Sequence, residues 1–382
     1  MMKMTKWLLA MALALALTLS GVVGAFAEQE YVEVEKTLST DVFDMSDQYE
    51  RIEGTSIVVH KATGREIDLD NLKIACVHKS QGSFWMDSTN TEGENWAAAQ
   101  NGTATWDYFP AQTFDAASQM SALSDAMATD PDILIVCPTS GEAVNQAIVT
   151  AKEKGTFVIA VEGMDYMNNV DLFLDPFYEK DFIKMHVDEI VRRLGDDITY
   201  CLYVGKLTTP FQVLWCDLFY DYATEAYPNM KCIVNRGEYL EHNDSEETGY
   251  ESAKQVLMAN EDVKLLWSSS AGGTLGIARA INELGLTGEV YACGHARPSG
   301  SKFAIDNGSV LFTTIHYPGA WGWAAAEVGR KVLSGEVIEN GASLGIEGYT
   351  DILVIGNHVY GDGWYIQDTD TIDAIVAKYP EF

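Results

Sequence analysis

Hydrophobic residues along the chain fall into short continuous runs that alternate with longer amphipathic stretches. Between two of these runs, apolar residues recur every three or four positions from Phe114 to Met127, which predicts a helix. Another predicted helix starts near Glu142 and ends at Gly155, after two lysines. The continuous runs predict four strands, at 73–77, 103–109, 132–137 and 156–161. Strands that alternate with helices in this way indicate βαβ units and a parallel sheet.

The same rhythm repeats in the second half of the chain. Four further apolar runs predict strands at 198–204, 231–235, 263–267 and 289–293. Helical patterns accompany them at 178–194, 245–260 and 274–284. Two successive four-strand units of this kind predict an α/β protein with two doubly wound parallel-sheet domains.

The last part of the chain is too short to bury a core of its own. Its pattern predicts a helix at 302–307, a strand at 309–315 and a helix at 318–333. We expect these elements to complete the two sheets through hinge crossings near 172–176, 294–297 and 313–318. The predicted boundaries are 71–172 plus 296–314 for the N-terminal lobe, 173–295 plus 315–350 for the C-terminal lobe, and 351–382 for a tail that packs across both.

The first 27 residues have the pattern of a secretory signal peptide. Lys3 and Lys6 precede an apolar run of about 13 residues, too short to span a bilayer, and Ala25-Phe26-Ala27 forms an A-x-A cleavage site. Leu19-Ser20-Gly21 is followed by valine rather than the cysteine of a lipoprotein box. We therefore expect an exported, extracytoplasmic protein without a lipid anchor. Residues 28–70 form an acidic N-terminal extension with no assigned role and a short β-like piece at 56–60.

Composition excludes some partners and leaves others open. Removing the signal, which carries two lysines and no acidic residue, moves the formal charge from −31 to −33. Such acidity disfavours nucleic acid and anionic lipid surfaces. The six cysteines contain no C-x-x-C spacing, and four of them lie inside apolar runs, which favours free core thiols over disulfides or a zinc site.

The stretch Leu72–Trp85, LKIACVHKSQGSFW, carries the first candidate site. It is a buried strand that ends in a lysine, a turn and two aromatic rings, and ligands of open α/β sheets lie beyond the carboxyl ends of strands. The two rings could instead open the next helix and pack on the sheet. Taken over both domains, the residues that follow strands or occupy crossings give the candidate ligand-binding set: Lys79, Phe84, Trp85, Glu162, Asp165, Gln212, Ser268, Ser270, Arg297 and His316.

This set suits a polyhydroxylated ligand better than it suits catalysis. Aromatic faces stack on sugar C–H groups, while carboxylates, amides and guanidinium groups bond hydroxyls. The chain has no H-E-x-x-H, P-loop or G-x-G-x-x-G motif. We therefore expect no enzyme activity, no cofactor and no metal. A glycosidase acting through Glu162 and Asp165 is the enzymatic alternative, although no second acid is evidently placed across the cleft.

Several motifs together resemble the type I periplasmic sugar-binding proteins of ABC importers, most closely the ribose, rhamnose and autoinducer-2 group. The resemblance covers Leu72 to Phe382 and rests on LKIACVHKSQGSFW, FVIAVEGMD, YACGHARPSG with AIDNGSV, and VAKYPEF. It implies two lobes joined by a three-strand hinge and closing on a ligand. By position it implies ligand contacts for the following residues: Lys79, Phe84, Trp85, Glu162, Gln212, Ser268, Ser270 and His316.

The resemblance implies delivery of a monosaccharide or small polyol to an ABC transporter permease by a monomeric binding protein. Phe211 and the serines at 268–270 depart from the pattern of autoinducer-2 binders, which weakens that assignment. Two alternatives stay open. One is a sensory module that presents autoinducer-2, a nucleoside or another small solute to a chemoreceptor or histidine kinase. The other is a nucleoside ligand stacked on Phe84 and Trp85.

Overall fold

A computed structural model describes residues 36–82, 84–139, 141–162 and 169–380. The predicted signal peptide and Asp165 therefore lie outside the described residues. The acidic extension is built into the structure as a three-stranded antiparallel sheet, with strands β1 (Tyr49–Arg51), β2 (Ile57–His60) and β3 (Glu66–Asp68). Val58 and Ile67 of this sheet are buried in the hydrophobic core that also contains Leu72 and Ile74. The extension is thus stabilised by burial against the first lobe.

The first lobe, N-terminal in sequence, contains a seven-stranded sheet in the order β15-β16-β8-β7-β6-β4-β5. All neighbouring pairs are parallel except β15 with β16. Its strands are β4 (Leu72–His78), β5 (Ala104–Pro110), β6 (Ile133–Val136), β7 (Phe157–Val161), β8 (Leu172–Asp175), β15 (Leu353–Ile355) and β16 (His358–Tyr360). Alternate β4 residues enter different cores, Ile74 and Cys76 on one face and Ala75 and Val77 on the other. Burial on both faces explains the continuous apolar run.

The second lobe contains a sheet in the order β10-β9-β12-β13-β14-β17, with β11 also pairing with β9. Only the pair β14–β17 is antiparallel. The strands are β9 (Thr199–Val204), β10 (Lys231–Cys232), β11 (Leu240–Glu241), β12 (Val263–Ser268), β13 (Tyr291–His295), β14 (Val310–Ile315) and β17 (Tyr365–Gln367).

Helices cover the faces of both sheets, as in doubly wound folds. In chain order they are α1 (Phe84–Ala99), α2 (Ala116–Ala128), α3 (Gly141–Glu153), α4 (Glu179–Leu194), α5 (Pro210–Ala226), α6 (Glu246–Ala259), α7 (Ala271–Glu283), α8 (Pro298–Asp306), α9 (Ala320–Leu333) and α10 (Ile372–Lys378). All six cysteines are free. In the part of the chain that the structure describes, no helix combines the length and the apolar character needed to cross a membrane.

Two predicted domain assignments are wrong. Residues 296–314, expected in the first lobe, belong to the second, because β14 pairs in parallel with β13 through the short crossover helix α8. Helix α9, expected in the second lobe, covers the first sheet, since Trp321 and Ala324 lie in the same core as Ile74. The predicted crossing at 294–297 is therefore wrong as well. The chain passes between the sheets at 176–178, 316–319 and 361–364.

Candidate functional site

An ion pair lies at the C-terminal edge of the first sheet. Lys79 follows β4, Glu162 follows β7, and the lysine ammonium donates a hydrogen bond to the carboxylate. Their side chains are 17% and 34% exposed. Burial alone would lower the pKa of Lys79, but the charge and hydrogen bond of Glu162 oppose it, and that pKa lies above its usual value. The lysine is therefore charged, and the pair as a whole is close to neutral.

Glu162 has a backbone φ of 52°, in the left-handed region that residues other than glycine rarely adopt. The Cys137 thiol, at the end of β6, donates to the same carboxylate at 3.5 Å. Burial raises the pKa of this thiol, so it remains protonated and able to donate. Non-glycine residues in strained conformations cluster at ligand sites, where the fold holds the side chain in place.

The aromatic pair Phe84 and Trp85 opens helix α1 and also packs on other rings. The Trp85 and His316 rings pack in a T-shaped arrangement, with centroids 4.8 Å apart and planes at 79°. Phe84 lies 6.2 Å from the Tyr317 ring. Both side chains are half-buried. Both rings therefore pack on rings of the hinge segment while part of their surface stays exposed.

His316 lies in the hinge segment 316–319 and is 7% exposed. Besides Trp85, the rings of Phe177, Trp321 and His295 surround it, with centroids 5.6, 5.3 and 6.0 Å away. Neither imidazole nitrogen has a hydrogen-bond partner among the described residues. Burial lowers the pKa of His316, and His295 and Lys79 lower it further. A neutral imidazole offers one donor and one acceptor.

His295, the last residue of β13, extends this cluster into the second lobe. Its ring lies 5.9 Å from Trp215 of α5, and its Nδ1 has no partner among the described residues. Burial, aided by the charge of Arg297, lowers the pKa of His295 to about 4. Arg297 itself is exposed just before α8. Sequence reasoning selected the exposed arginine and missed His295, although a polar residue at the end of a buried strand was the available signal.

Gln212 of α5 is buried, but its amide is engaged within the second lobe. Its Oε1 accepts from the Gly205 backbone N–H at 2.6 Å, and its Nε2 donates to Asp244 at 3.2 Å. A Cβ at Gly205 would lie 2.5 Å from Gln212 Oε1, so a larger residue there would displace the Gln212 side chain. Gln212 therefore fixes the loop after β9.

The serines after β12 divide into two roles. The Ser268 hydroxyl lies 3.0 Å from His242 Nε2 and from the Ser270 carbonyl oxygen, and it accepts from the Ser270 N–H at 3.2 Å. Ser268 thus holds the turn that leads into α7. The Ser270 hydroxyl is buried and has no partner among the described residues. Ser270 therefore keeps its hydrogen-bonding capacity.

These groups offer hydrogen bonding and stacking, with their only charges in the Lys79–Glu162 pair and the exposed Arg297. Within the described ranges, no group of three or more His, Cys, Asp or Glu side chains is placed to hold a metal ion. The arrangement can bind a small solute through ring faces, neutral imidazoles, a hydroxyl and one paired carboxylate.

Comparisons with known proteins agree with this architecture. Residues 74–336 match the family model described as a periplasmic binding protein domain. A search of curated protein sequences finds no significant match. Among solved structures, a sugar ABC transporter protein from Actinomyces odontolyticus is 19% identical with a TM-score of 0.71, over 81% of this chain and 98% of that one.

Two further structures were determined with ligands. LsrB from Clostridium saccharobutylicum in complex with AI-2 is 19% identical with a TM-score of 0.61, over 79% of this chain and 99% of that one. A solute-binding protein from Clostridium phytofermentas with bound L-rhamnose is 16% identical with a TM-score of 0.62, over 81% and 99%. These similarities confirm the predicted two-lobed α/β fold.

Proposed function

The chain belongs to the periplasmic binding protein family, and on this premise we propose that it captures a monosaccharide or similar small polyol and delivers it to an ABC transporter permease. The observation that carries the proposal is His316, a buried neutral imidazole whose two nitrogens lack partners among the described residues. Aromatic rings from the first lobe and the hinge surround it.

The chemistry of this cluster matches that of a sugar. A hydroxyl group both donates and accepts hydrogen bonds, and a neutral imidazole does the same through its two nitrogens. Sugar rings also carry apolar C–H faces, which pack well on indole rings such as that of Trp85. A buried polar atom left unpaired costs free energy, so a ligand that pairs with His316 and Ser270 gains affinity from satisfying them.

The charges of the site favour an uncharged ligand. Lys79 and Glu162 are paired with each other, so neither is left to attract a free anion or cation. The second carboxylate oxygen can still accept from a hydroxyl group, a charge-assisted bond that is stronger than a neutral one. A sugar phosphate or sugar acid would bring a negative charge close to Glu162, whose neighbouring cation Lys79 is already paired.

The proposal includes export by the N-terminal signal and involves no bond-breaking step. Binding proteins of this architecture act by closure of two lobes around the ligand, which the ligand drives through its greater affinity for the closed form. Structural relatives with bound L-rhamnose and D-arabinose support the sugar assignment over a nucleoside, and the relative in complex with AI-2 makes that solute the alternative ligand.

Isothermal titration calorimetry tests the proposal directly. The mature chain would be titrated with L-rhamnose, D-arabinose, D-fucose and D-tagatose, and separately with glucose 6-phosphate, glucuronate and adenosine. We expect saturable binding of at least one neutral monosaccharide, weaker binding of the two charged sugars, and loss of binding in His316→Ala. Binding of adenosine alone, or no heat with any neutral sugar at millimolar concentration, would overturn the proposal.

A further inference from the structure

Residues 36–43, here called the N-terminal strap, precede the part of the chain that matches the family model, which begins at residue 74. The strap is attached to the first lobe by several backbone contacts. Asn340 donates to the carbonyl oxygens of Ser39 and Asp41 at 2.9 and 2.8 Å. Phe43 and Ile338 exchange two backbone hydrogen bonds of 2.9 Å. Because Ile338 lies in the core of the first lobe, this end of the strap moves with that lobe.

One residue of the strap reaches the second lobe instead. Thr37 donates its backbone N–H to one oxygen of Asp181 at 2.9 Å and its hydroxyl to the other at 2.8 Å. Asp181 is 6% exposed and lies in the first turn of α4. Helix α4 is fixed to the second sheet, since His186 accepts from the Trp267 indole N–H at 2.8 Å. The strap therefore links the two lobes in addition to the three hinge segments.

The strap spans the hinge without filling the space beneath it. A cavity of about 250 Å³ lies between the strap and the hinge segments, with Tyr178, Gly361 and Trp364 among its lining residues. Leu38, in the middle of the strap, is 93% exposed. At this point the strap is thus held to the second lobe by the Thr37–Asp181 hydrogen bonds rather than by apolar packing.

A second polar contact between the lobes is more exposed to solvent than the contact of Thr37 with Asp181. Glu347 of the first lobe bonds Lys378 and Tyr365 of the second. The side chains of Glu347 and Lys378 are 58% and 47% exposed, so water and salt screen their attraction. A buried carboxylate that loses its donors pays a larger desolvation cost. The Thr37–Asp181 contact is the stronger restraint of the two.

We propose that the Thr37–Asp181 contact is a latch that restrains rotation of the lobes, so that the acidic extension sets the balance between open and closed forms. Rotation about the hinge displaces Asp181 relative to the anchor at Asn340 and Ile338. It must therefore either break both bonds of the latch or pull the strap from the first lobe. Thr37 and Asp181 act as positioning residues and need not touch the ligand.

The test measures the distance between the lobes in ligand-free protein. Spin labels replace the exposed residues Asp125 on α2 and Met258 on α6 in a Cys232→Ala background, and double electron–electron resonance gives the distance distribution. We expect Thr37→Val to shift the open-to-closed ratio about tenfold, which corresponds to about 1.4 kcal/mol, and to broaden or displace the distribution. Asp181→Asn should act in the same direction.

Two matched variants separate a latch from general loosening. Thr37→Ser keeps the hydroxyl and should retain the wild-type distribution. Lys36→Met removes an exposed pair with Asp351, which joins the strap to the first lobe alone, and should also leave the distribution unchanged. Thermal unfolding identifies any variant that fails to fold, and Thr37→Val, with nearly the same shape as threonine, remains informative if Asp181→Asn does not.

Identical distributions in Thr37→Val, Asp181→Asn and the wild type would overturn the latch. An equal change in Thr37→Ser or Lys36→Met would overturn it as well, because the effect would then not depend on the two bonds. The measurement needs no ligand. Its failure would leave the proposed sugar binding intact, and a failure of sugar binding would leave the latch intact.

Discussion

Lys79 and Glu162 form an ion pair between two strands that are not neighbours. Lys79 follows β4 and Glu162 follows β7, while β6 lies between those strands in the sheet. The residue that follows β6, Cys137, donates its thiol to the same carboxylate. The Glu162 carboxylate thus links the ends of three adjacent strands and stabilises this side of the candidate site.

Glu162→Gln should weaken ligand binding. The substitution keeps the shape of the side chain but replaces a charge-assisted acceptor and leaves Lys79 without its counter-charge. Hydrogen bonds to charged groups contribute about 1.5–3 kcal/mol, so we expect a rise in Kd of about tenfold or more in calorimetry. Glu247→Gln, which breaks an exposed pair with Arg279, is the control and should bind as the wild type does. Equal ligand affinity in Glu162→Gln and Glu247→Gln would show that Glu162 does not contribute to ligand binding.

Trp85→Ala should reduce ligand affinity more than it reduces stability. Its ring packs against His316 and Trp321 but is only half-buried, so part of its surface remains available to a ligand. Stacking and lost burial together predict a rise in Kd of about tenfold to a hundredfold. Trp323→Ala is the matched control, because its indole N–H donates to the Leu344 carbonyl and its ring packs against the first-lobe core. Similar losses in both variants would indicate a structural role for Trp85.

Folding stability should fall as the pH drops from 6.5 towards 4. Burial is the main cause that lowers the pKa of six of the seven histidines: His60, His78, His186, His242, His295 and His316. For His186 and His295 the folded-state pKa values are about 3 and about 4, below the value of about 6.5 in an unfolded chain. In this window the unfolded chain binds protons that the folded chain excludes, so each such histidine destabilises the fold by up to about 1.4 kcal/mol per pH unit.

Urea unfolding at pH 7.5, 6.5, 5.5 and 5.0 measures this slope. Asp171, whose pKa burial raises, contributes in the opposite direction but cannot cancel several histidines. The carboxyls of Glu189 and Asp368, whose pKa values are lowered in their ion pairs with arginine, titrate below this range. A free energy of unfolding that stays constant between pH 6.5 and 5.0 would show that the histidines are protonated in the folded protein.

Gly294→Ala should destabilise the protein and disturb the site. Gly294 has a φ of +135°, and a Cβ there would lie 1.9 Å from the Ser268 carbonyl oxygen, so β12 and β13 would have to separate next to His295. Gly288→Ala is the control, because that glycine has a φ of +82° but nothing within 4 Å of an added Cβ. We expect Gly288→Ala to cost about 1 kcal/mol from backbone strain alone, and Gly294→Ala to cost clearly more in chemical denaturation. Equal costs would show that the close approach can relax.

The interior of each lobe was predictable because it depends on local pattern. The apolar run at 73–77 was predicted as a buried strand, and alternate residues of the observed strand Leu72–His78 do enter two different cores. The same run also led to Lys79 and Trp85, since residues after parallel strands meet at one edge of a sheet. The continuous run of Phe157–Val161 identified the position of Glu162 in the same way.

The hydrophobic pattern could not predict which lobe the elements near the C-terminus of the chain would join. An apolar run such as Val310–Ile315 fits an edge of either sheet equally well, and only its pairing with β13 places it in the second lobe. Helix α9 carries an apolar face that either sheet could cover. It lies on the first sheet because it packs against α1, where Gly322 approaches the Thr89 carbonyl oxygen. These choices depend on shape complementarity between segments far apart in sequence.

The sequence by itself determined the α/β class, the two repeated units and the strand ends that carry Lys79, Trp85 and Glu162, because periodicity and strand polarity are local properties. The tertiary structure decided which sheet each returning segment joins. It also decided that Gln212 holds a loop while His295 faces His316, and that Thr37 reaches across the hinge to Asp181. Those outcomes depend on long-range pairing and burial, which no local pattern of residues encodes.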